Sequence, residues 1–185
     1  MTLLLAYILF FLDNFLRELL RWKNKASRFN LASDDKKSSL LMLIYLVIVL
    51  LAPIVKVYGI GELEILILQW LGIVFVLVGI MIHIISIETL GRYYSGMLST
   101  TEDQPLIRIG LYASIRHPGY LGNLLVGLGF GLAAGNWLSL IIILIAFCSV
   151  YLYRIHQEEK MLLAKFGNEY KKYMKETDRL VPGVY

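Results

Sequence analysis

Cysteine is all but missing. The chain of 185 residues has one, Cys148, set inside an apolar run, so an intrachain disulfide is excluded and nothing points to an oxidising compartment. Its simplest role is that of a small apolar residue. Histidine is scarce as well: His83, His117 and His156 are scattered and, with a single thiol, lack the spacing of metal ligands, so no metal is expected. No period-two pattern marks a strand and no glycine-rich turn follows one, which excludes a soluble Rossmann enzyme. Charge is thin, 17% of a chain that is 58% hydrophobic, below the usage of a soluble domain. The net charge of +4 does not read as a nucleic-acid surface, because the basic residues flank apolar runs, where they suit anionic lipid headgroups. The partners expected are a lipid bilayer and no nucleic acid.

What the chain has is long hydrophobic runs, five of them. The first, from Thr2 to about Leu20, is interrupted by Asp13, Asn14, Arg17 and Glu18, so it either ends in the interface or packs those groups on a neighbour. It lacks the basic start and cleavage site of a signal peptide. The second, from Leu40 to about Val57, is broken by Pro53. The third, from Ile65 to about Leu90, makes roughly 39 Å of helix, more than a hydrocarbon core of roughly 30 Å. The fourth runs from Tyr120 to about Ala134, and the fifth from Trp137 to about Tyr153 before continuing as a more polar helix. The fold class expected is all-α, an integral membrane bundle of five transmembrane helices.

Only Ala134, Gly135 and Asn136 join the last two runs, which makes them antiparallel neighbours. Gly127, Gly131 and Gly135 recur every four residues and bare one face of the fourth helix, for packing within the bundle or in a dimer. Lysine and arginine set the orientation. Arg21, Lys23, Lys25, Arg28, Lys36 and Lys37 follow the first run, Arg92, Arg108 and Arg116 follow the third, and seven basic residues from Arg154 to Arg179 follow the fifth. The opposite loops hold only Lys56. The amino terminus is therefore expected outside and the tail in the cytosol, with Gly91–Gly119 and Arg154–Tyr185 on that same side. Leu162, Leu163, Phe166, Tyr170, Tyr173 and Met174 recur at helical spacing in the tail, which suits a basic amphipathic helix on the membrane surface or a lid.

Two clusters can carry chemistry. Arg116-His117-Pro118-Gly119-Tyr120-Leu121-Gly122 stands where a cytosolic loop enters the fourth run. Proline suits the first helical position, so His117 precedes the helix and free backbone N–H groups form a candidate anion site. The alternative makes Arg116 an anchor and His117 a cap. Arg154-Ile155-His156-Gln157-Glu158-Glu159 prolongs the fifth run, with Arg154 and Glu158 on one helix face, either as a salt bridge or as grips on two ligands. Gln104-Pro105-Leu106-Ile107 with Tyr112 forms an apolar loop bounded by turn residues, and Tyr112, Tyr120 and Phe166 are aromatic faces that would favour a cation or simply anchor the bundle. His83 and Glu88 are ionisable groups within the third run.

Together these residues resemble the isoprenylcysteine carboxyl methyltransferase family and the wider phospholipid-methyltransferase-like membrane proteins. The resemblance rests on the Arg116–Gly122 run, Glu158-Glu159, Phe166-Gly167-Asn168-Glu169-Tyr170 with Tyr173, and Arg179-Leu180-Val181-Pro182, under half of the chain. It implies an S-adenosyl-L-methionine-dependent methyltransferase, releasing S-adenosyl-L-homocysteine, that acts on a lipid-like or prenylated acceptor. It also implies a cytosolic cofactor pocket formed by the loop before helix 4 and the extension after helix 5. Carried onto this sequence, the cofactor residues are Gln104, Pro105, Leu106, Ile107, Tyr112, His117, Pro118, Gly119, Tyr120 and Glu158, and Arg154 matches the arginine assigned to the acceptor carboxylate. Residues 1–60 would be an N-terminal transmembrane hairpin and 61–185 the catalytic membrane domain with its C-terminal helix. The membrane expected is the cell membrane of a prokaryote or the endoplasmic reticulum of a eukaryote. Two other enzymes stay open: an amine N-methyltransferase, with Glu159 or His156 as base, and an NADPH-dependent sterol-type reductase sharing a His-Pro-x-Tyr-x-Gly stretch. A scaffold without activity is the remaining reading.

Overall fold

The computed structural model describes residues 1–24, 35–95 and 103–183. Lys25 and Arg28 of the expected basic loop lie outside them, as do residues 96–102 of the Gly91–Gly119 segment. The described residues form helices α1 (Thr2–Lys23), α2 (Asp35–Leu51), α3 (Leu66–Leu90), α4 (Pro118–Ala133), α5 (Trp137–Phe166) and α6 (Asn168–Glu176), with no strand among them. The third run is α3 to within a residue. Pro53, which lacks an N–H for the helical ladder, stands where α2 gives way to a 3₁₀ turn over Ala52–Tyr58, and Gly59 at φ 68 ends it.

Three segments are long and apolar enough to cross a membrane: Lys37–Tyr58, Leu66–Tyr93 and Trp137–Phe166. α4 is a shorter apolar helix, about 24 Å at 1.5 Å per residue, less than the roughly 30 Å of a hydrocarbon core. The bundle exposes hydrophobic side chains in stripes, such as Leu4, Ile8, Phe11 and Phe15 on α1, Val74, Leu77 and Met81 on α3, and Ile141 and Ile145 on α5. A water-soluble surface would not do so; a lipid-facing one does. Cys148 belongs to that exposed surface.

α3 and α4 pack along their whole length, and glycine makes this possible. A methyl group at Gly72 would sit 2.5 Å from the Gly129 carbonyl oxygen, and one at Gly79 would sit 2.8 Å from that of Gly122. The closest backbone approach therefore uses Gly122 and Gly129. Gly127 and Gly131 of the expected stripe look elsewhere, to Tyr45 on α2 and Leu140 on α5, and Gly135 is the turn residue between α4 and α5, at φ 62. Asn136 caps α5, accepting from the Ser139 N–H at 2.8 Å and donating to the Ile60 carbonyl at 2.7 Å. α1 packs on α3 and α4, and α2 on α5. Between α1 and α2, the Tyr7 hydroxyl donates to the Leu50 carbonyl at 2.8 Å.

Each end of the bundle is tied together. At one, Thr2 donates to the Ala133 carbonyl at 3.0 Å and the Leu63 N–H to Gly135 at 2.8 Å. At the other, Lys23 pairs with Glu88 at 3.1 Å. α5 does not run unbroken through the tail: Gly167 at φ 56 turns the chain into α6, whose Tyr170 and Tyr173 are buried. α6 packs over the end of the bundle with Tyr170 and Tyr173 turned inward.

Candidate active site

The site is built where α4 begins. His117 is the residue before the helix and Pro118 its first, as the motif requires. The segment ahead of it is clamped by the tail: the Asp178 N–H donates to Ser114 at 3.0 Å, Arg116 N–H to Asp178 at 2.9 Å, and His117 N–H to Arg179 at 3.2 Å. Glu159 of α5 anchors both. Its carboxylate lies 3.0 Å from Arg116 Nε, 3.0 Å from Arg179 Nη2 and 3.5 Å from His117 Nε2. Arg116 also donates to the carbonyls of Met174 and Thr177, which seats the end of α6. The alternative of Arg116 as a lone interfacial anchor is thereby replaced, because its partners are protein groups.

A first cavity opens beside this clamp. Of the residues expected to hold a cofactor, Gln104, Pro105, Leu106, Ile107, Tyr112, His117, Gly119, Tyr120 and Glu158 line it together. Pro118 does not; it is buried in the helix start and shapes the turn. Tyr93 and Tyr94, Leu162 and Phe166, and Tyr170 and Tyr173 are also part of the wall. The α5 members were legible, since Leu162 and Phe166 follow Glu158 at four-residue steps on one helix face. The α6 tyrosines enter only because Gly167 folds the chain back. His117 stacks on Tyr120, ring centroids 5.4 Å apart, and the Tyr173 hydroxyl donates to the Tyr112 carbonyl at 2.7 Å.

Among the described residues, His117 Nε2, Glu158 Oε2 and Tyr170 Oη are buried in this wall without a hydrogen bond, though the first two have ion-pair contacts at 3.5 Å. Such atoms are costly unless a ligand meets them. Gly119 adds open space, with no atom within 4 Å of where a β-carbon would stand. The expected set of free backbone donors is smaller than the motif suggests, because the Tyr120 N–H is turned back on the His117 carbonyl at 3.1 Å. Burial would lower the His117 pKa, but the Glu158 and Glu159 carboxylates, each 3.5 Å away, outweigh it and raise it above the usual imidazole value. Burial pushes the Tyr173 hydroxyl up to about 12, so it stays a neutral donor.

Arg154 is not in the first cavity. It lines a second one with Asn14, Arg17, Ser39, His83 and Asn123, and the two cavities share Tyr94, Ser95, Tyr112, Gly119 and Tyr120 as a common wall. Its guanidinium donates to the Ser38 hydroxyl and lies 5.8 Å from the Tyr120 ring centre. Arg154 and Glu158, four residues apart on α5, thus open on neighbouring spaces, and Tyr120 lies between them. His156 is exposed and lines neither cavity; Glu159 is held in its arginine clamp.

Fold and site together define a class: a helical membrane protein with two adjoining cavities at one end. Residues 70–164 match the model of the isoprenylcysteine carboxyl methyltransferase (ICMT) family. A probable protein-S-isoprenylcysteine O-methyltransferase of Oryza sativa is 32% identical over 79% of this chain and 74% of its own length. The protein-S-isoprenylcysteine O-methyltransferase of Saccharomyces cerevisiae is 32% identical over 62% of this chain and 48% of its own. A solved structure of the eukaryotic intramembrane Ras methyltransferase ICMT superposes with a TM-score of 0.67 at 25% identity, covering 77% of this chain and 52% of that one. The chain belongs to the isoprenylcysteine carboxyl methyltransferase family. It spans about half the length of the yeast relatives it matches.

Proposed function

We propose that the chain transfers a methyl group from S-adenosyl-L-methionine to the carboxylate of a prenylcysteine-type acceptor, with the cofactor in the first cavity and the acceptor in the second. The observation that carries this is the shared wall at Gly119 and Tyr120, which sets a cation-accepting space next to an arginine-lined one. Glu158 Oε2 would take the cofactor's ammonium, His117 Nε2 and the Gly119 N–H its carboxylate, and the Gln104–Ile107 loop with the tyrosine faces its rings and sulfonium. When bound, this cofactor supplies a methyl carbon whose bond to sulfur breaks, the electron pair staying on sulfur, as the acceptor oxygen bonds to carbon.

The residues of this chain have only to align the reactants. A carboxylate is already ionised at neutral pH, so no base is required. An amine acceptor would have to lose a proton, and neither His156 nor Glu159 lines either of these two cavities. Arg154 fixes the acceptor carboxylate next to Tyr120. Every residue of the first cavity lies within 61–185, which supports reading that stretch as the catalytic unit; α1 and α2 reach only the second. Five spans with the amino terminus outside agree with Thr2 lying at the Ala133–Asn136 end and the basic tail at the other. The site would then face the cytosol, in the cell membrane of a prokaryote or the endoplasmic reticulum of a eukaryote.

The test is binding by purified protein in detergent. S-adenosyl-L-homocysteine should raise the melting temperature and NADPH should not. Glu158→Ala should weaken S-adenosyl-L-homocysteine about 10- to 100-fold by calorimetry, the worth of a charge-assisted hydrogen bond. Stabilisation by NADPH alone would hand the site to a reductase, and unchanged affinity in the variant would remove Glu158 from it.

A further inference from the structure

α1 lies outside the matched residues 70–164, yet it carries the most deeply buried charge outside the site. Ala6, Phe10, Asp13 and Arg17 form its inward stripe, and Asp13 is 1% exposed among apolar groups. A carboxylate there persists only if it is paired. Its Oδ1 lies 2.9 Å from His83 Nδ1 on α3, and its Oδ2 lies 3.1 Å from Arg17 Nη2. His83 Nε2 is 3.1 Å from the Gly119 carbonyl oxygen, which also accepts from Asn123 Nδ2 at 3.3 Å. Asn123 Oδ1 accepts from Arg17 Nη1 at 3.3 Å and closes the ring. Five groups on α1, α3 and α4 are thus linked in a circuit that grips Gly119, the residue shared by both cavities.

Both ring nitrogens of His83 face oxygen atoms, so the ring is held at both ends. Arg17 also has donors to spare: among the described residues Asp13, Asn14 and Asn123 occupy three of its five N–H groups. It lines the second cavity together with Arg154.

We propose that Arg17 is a second acceptor-binding residue, so that the anionic group of a lipid-tailed carboxylate is held between Arg17 of α1 and Arg154 of α5. This rests on the acceptor occupying the second cavity, and it assigns α1 a share in acceptor selection that the matched family region does not contain.

The full chain in lipid vesicles tests it, with an N-acetyl S-prenyl cysteine and its uncharged amide as probes and S-adenosyl-L-homocysteine present for binding measurements. Arg17→Gln should weaken carboxylate binding and raise its KM about 10-fold or more, a larger factor than any change in S-adenosyl-L-homocysteine affinity. Its preference for the carboxylate over the amide in binding should shrink by a similar factor. Arg17→Lys, which keeps the charge but loses the planar fork, should sit between, at about 3-fold. Should the glutamine variant not fold, the lysine variant carries the test. Acceptor affinity within 2-fold of the native value, in whichever variant folds, overturns the proposal and leaves Arg17 a structural partner of Asp13. If the native protein binds S-adenosyl-L-homocysteine but no carboxylate probe, the acceptor assignment itself has failed, independently of Arg17.

Discussion

Glu159 sits where three segments meet, and one carboxylate holds all of them. Arg116 and Glu159 have side chains 6% and 7% exposed, so removing the negative charge strands a buried guanidinium. Glu159→Gln is expected to cost about 3–5 kcal/mol in detergent, read as a drop in melting temperature, and to release the tail from residues 114–117. A variant as stable as the native protein would mean that the clamp does not form. His117 beside it makes stability depend on pH. Its pKa is raised on folding, so its favourable contribution is complete below the unperturbed value of 6.5 and is lost as pH rises through the raised one. The melting temperature should fall as pH climbs above about 6.5, and that portion of the fall should be missing in His117→Gln. Equal slopes in the two proteins would show that His117 is not charged in the fold. The sequence marked His117 and Glu158 as neighbours in function, but Arg116–Glu159 spans 43 residues of chain, and no local spacing announces it.

α3 and α4 show what an element-level pattern can and cannot say. Recurring glycines announce a close approach, and periodicity located both helices almost to the residue. Which glycines touch depends on the crossing, and the contact pair proved to be Gly72 and Gly129 with Gly79 and Gly122. Gly72→Ala would put a methyl 2.5 Å from one backbone atom and 2.6 Å from another, neither able to yield by rotating a side chain. A loss of about 1–3 kcal/mol is expected in thermal unfolding, whereas Gly119→Ala, which meets no atom within 4 Å, should leave the melting temperature alone. Equal stability of the two variants would mean that the helices do not approach as closely as drawn. The same contact positions the site, because α4 is too short to span by itself and is held against α3 with its first turn at the cavity wall.

At the scale of the whole molecule, the two ends of the bundle differ in kind: short tied loops at one, the basic last turn of α1 with the clamp and cap at the other. In vesicles made from oriented cell membranes, with Cys148→Ser as background, Tyr58→Cys and Lys175→Cys should react with an impermeant maleimide from opposite sides. Labelling of both from one side would overturn the proposed five-span topology. Native Cys148 should stay unlabelled, since it faces lipid amid apolar neighbours. Composition and periodicity by themselves determined the membrane setting, the helix order and the α4–α5 turn, because each follows from local hydrophobicity and from residues adjacent in the chain. About half of the first cavity's wall was also marked, through the family resemblance, around residues 104–120 and at Glu158. Only the tertiary structure decided that Arg154 and Glu158 open on different cavities, that α6 folds back as a cap, and that Asp13 and Arg17 of α1 reach His83 and Gly119. Those outcomes depend on contacts between residues 36 to 116 positions apart, whose geometry is set by how whole helices cross, and a one-dimensional pattern does not carry that information.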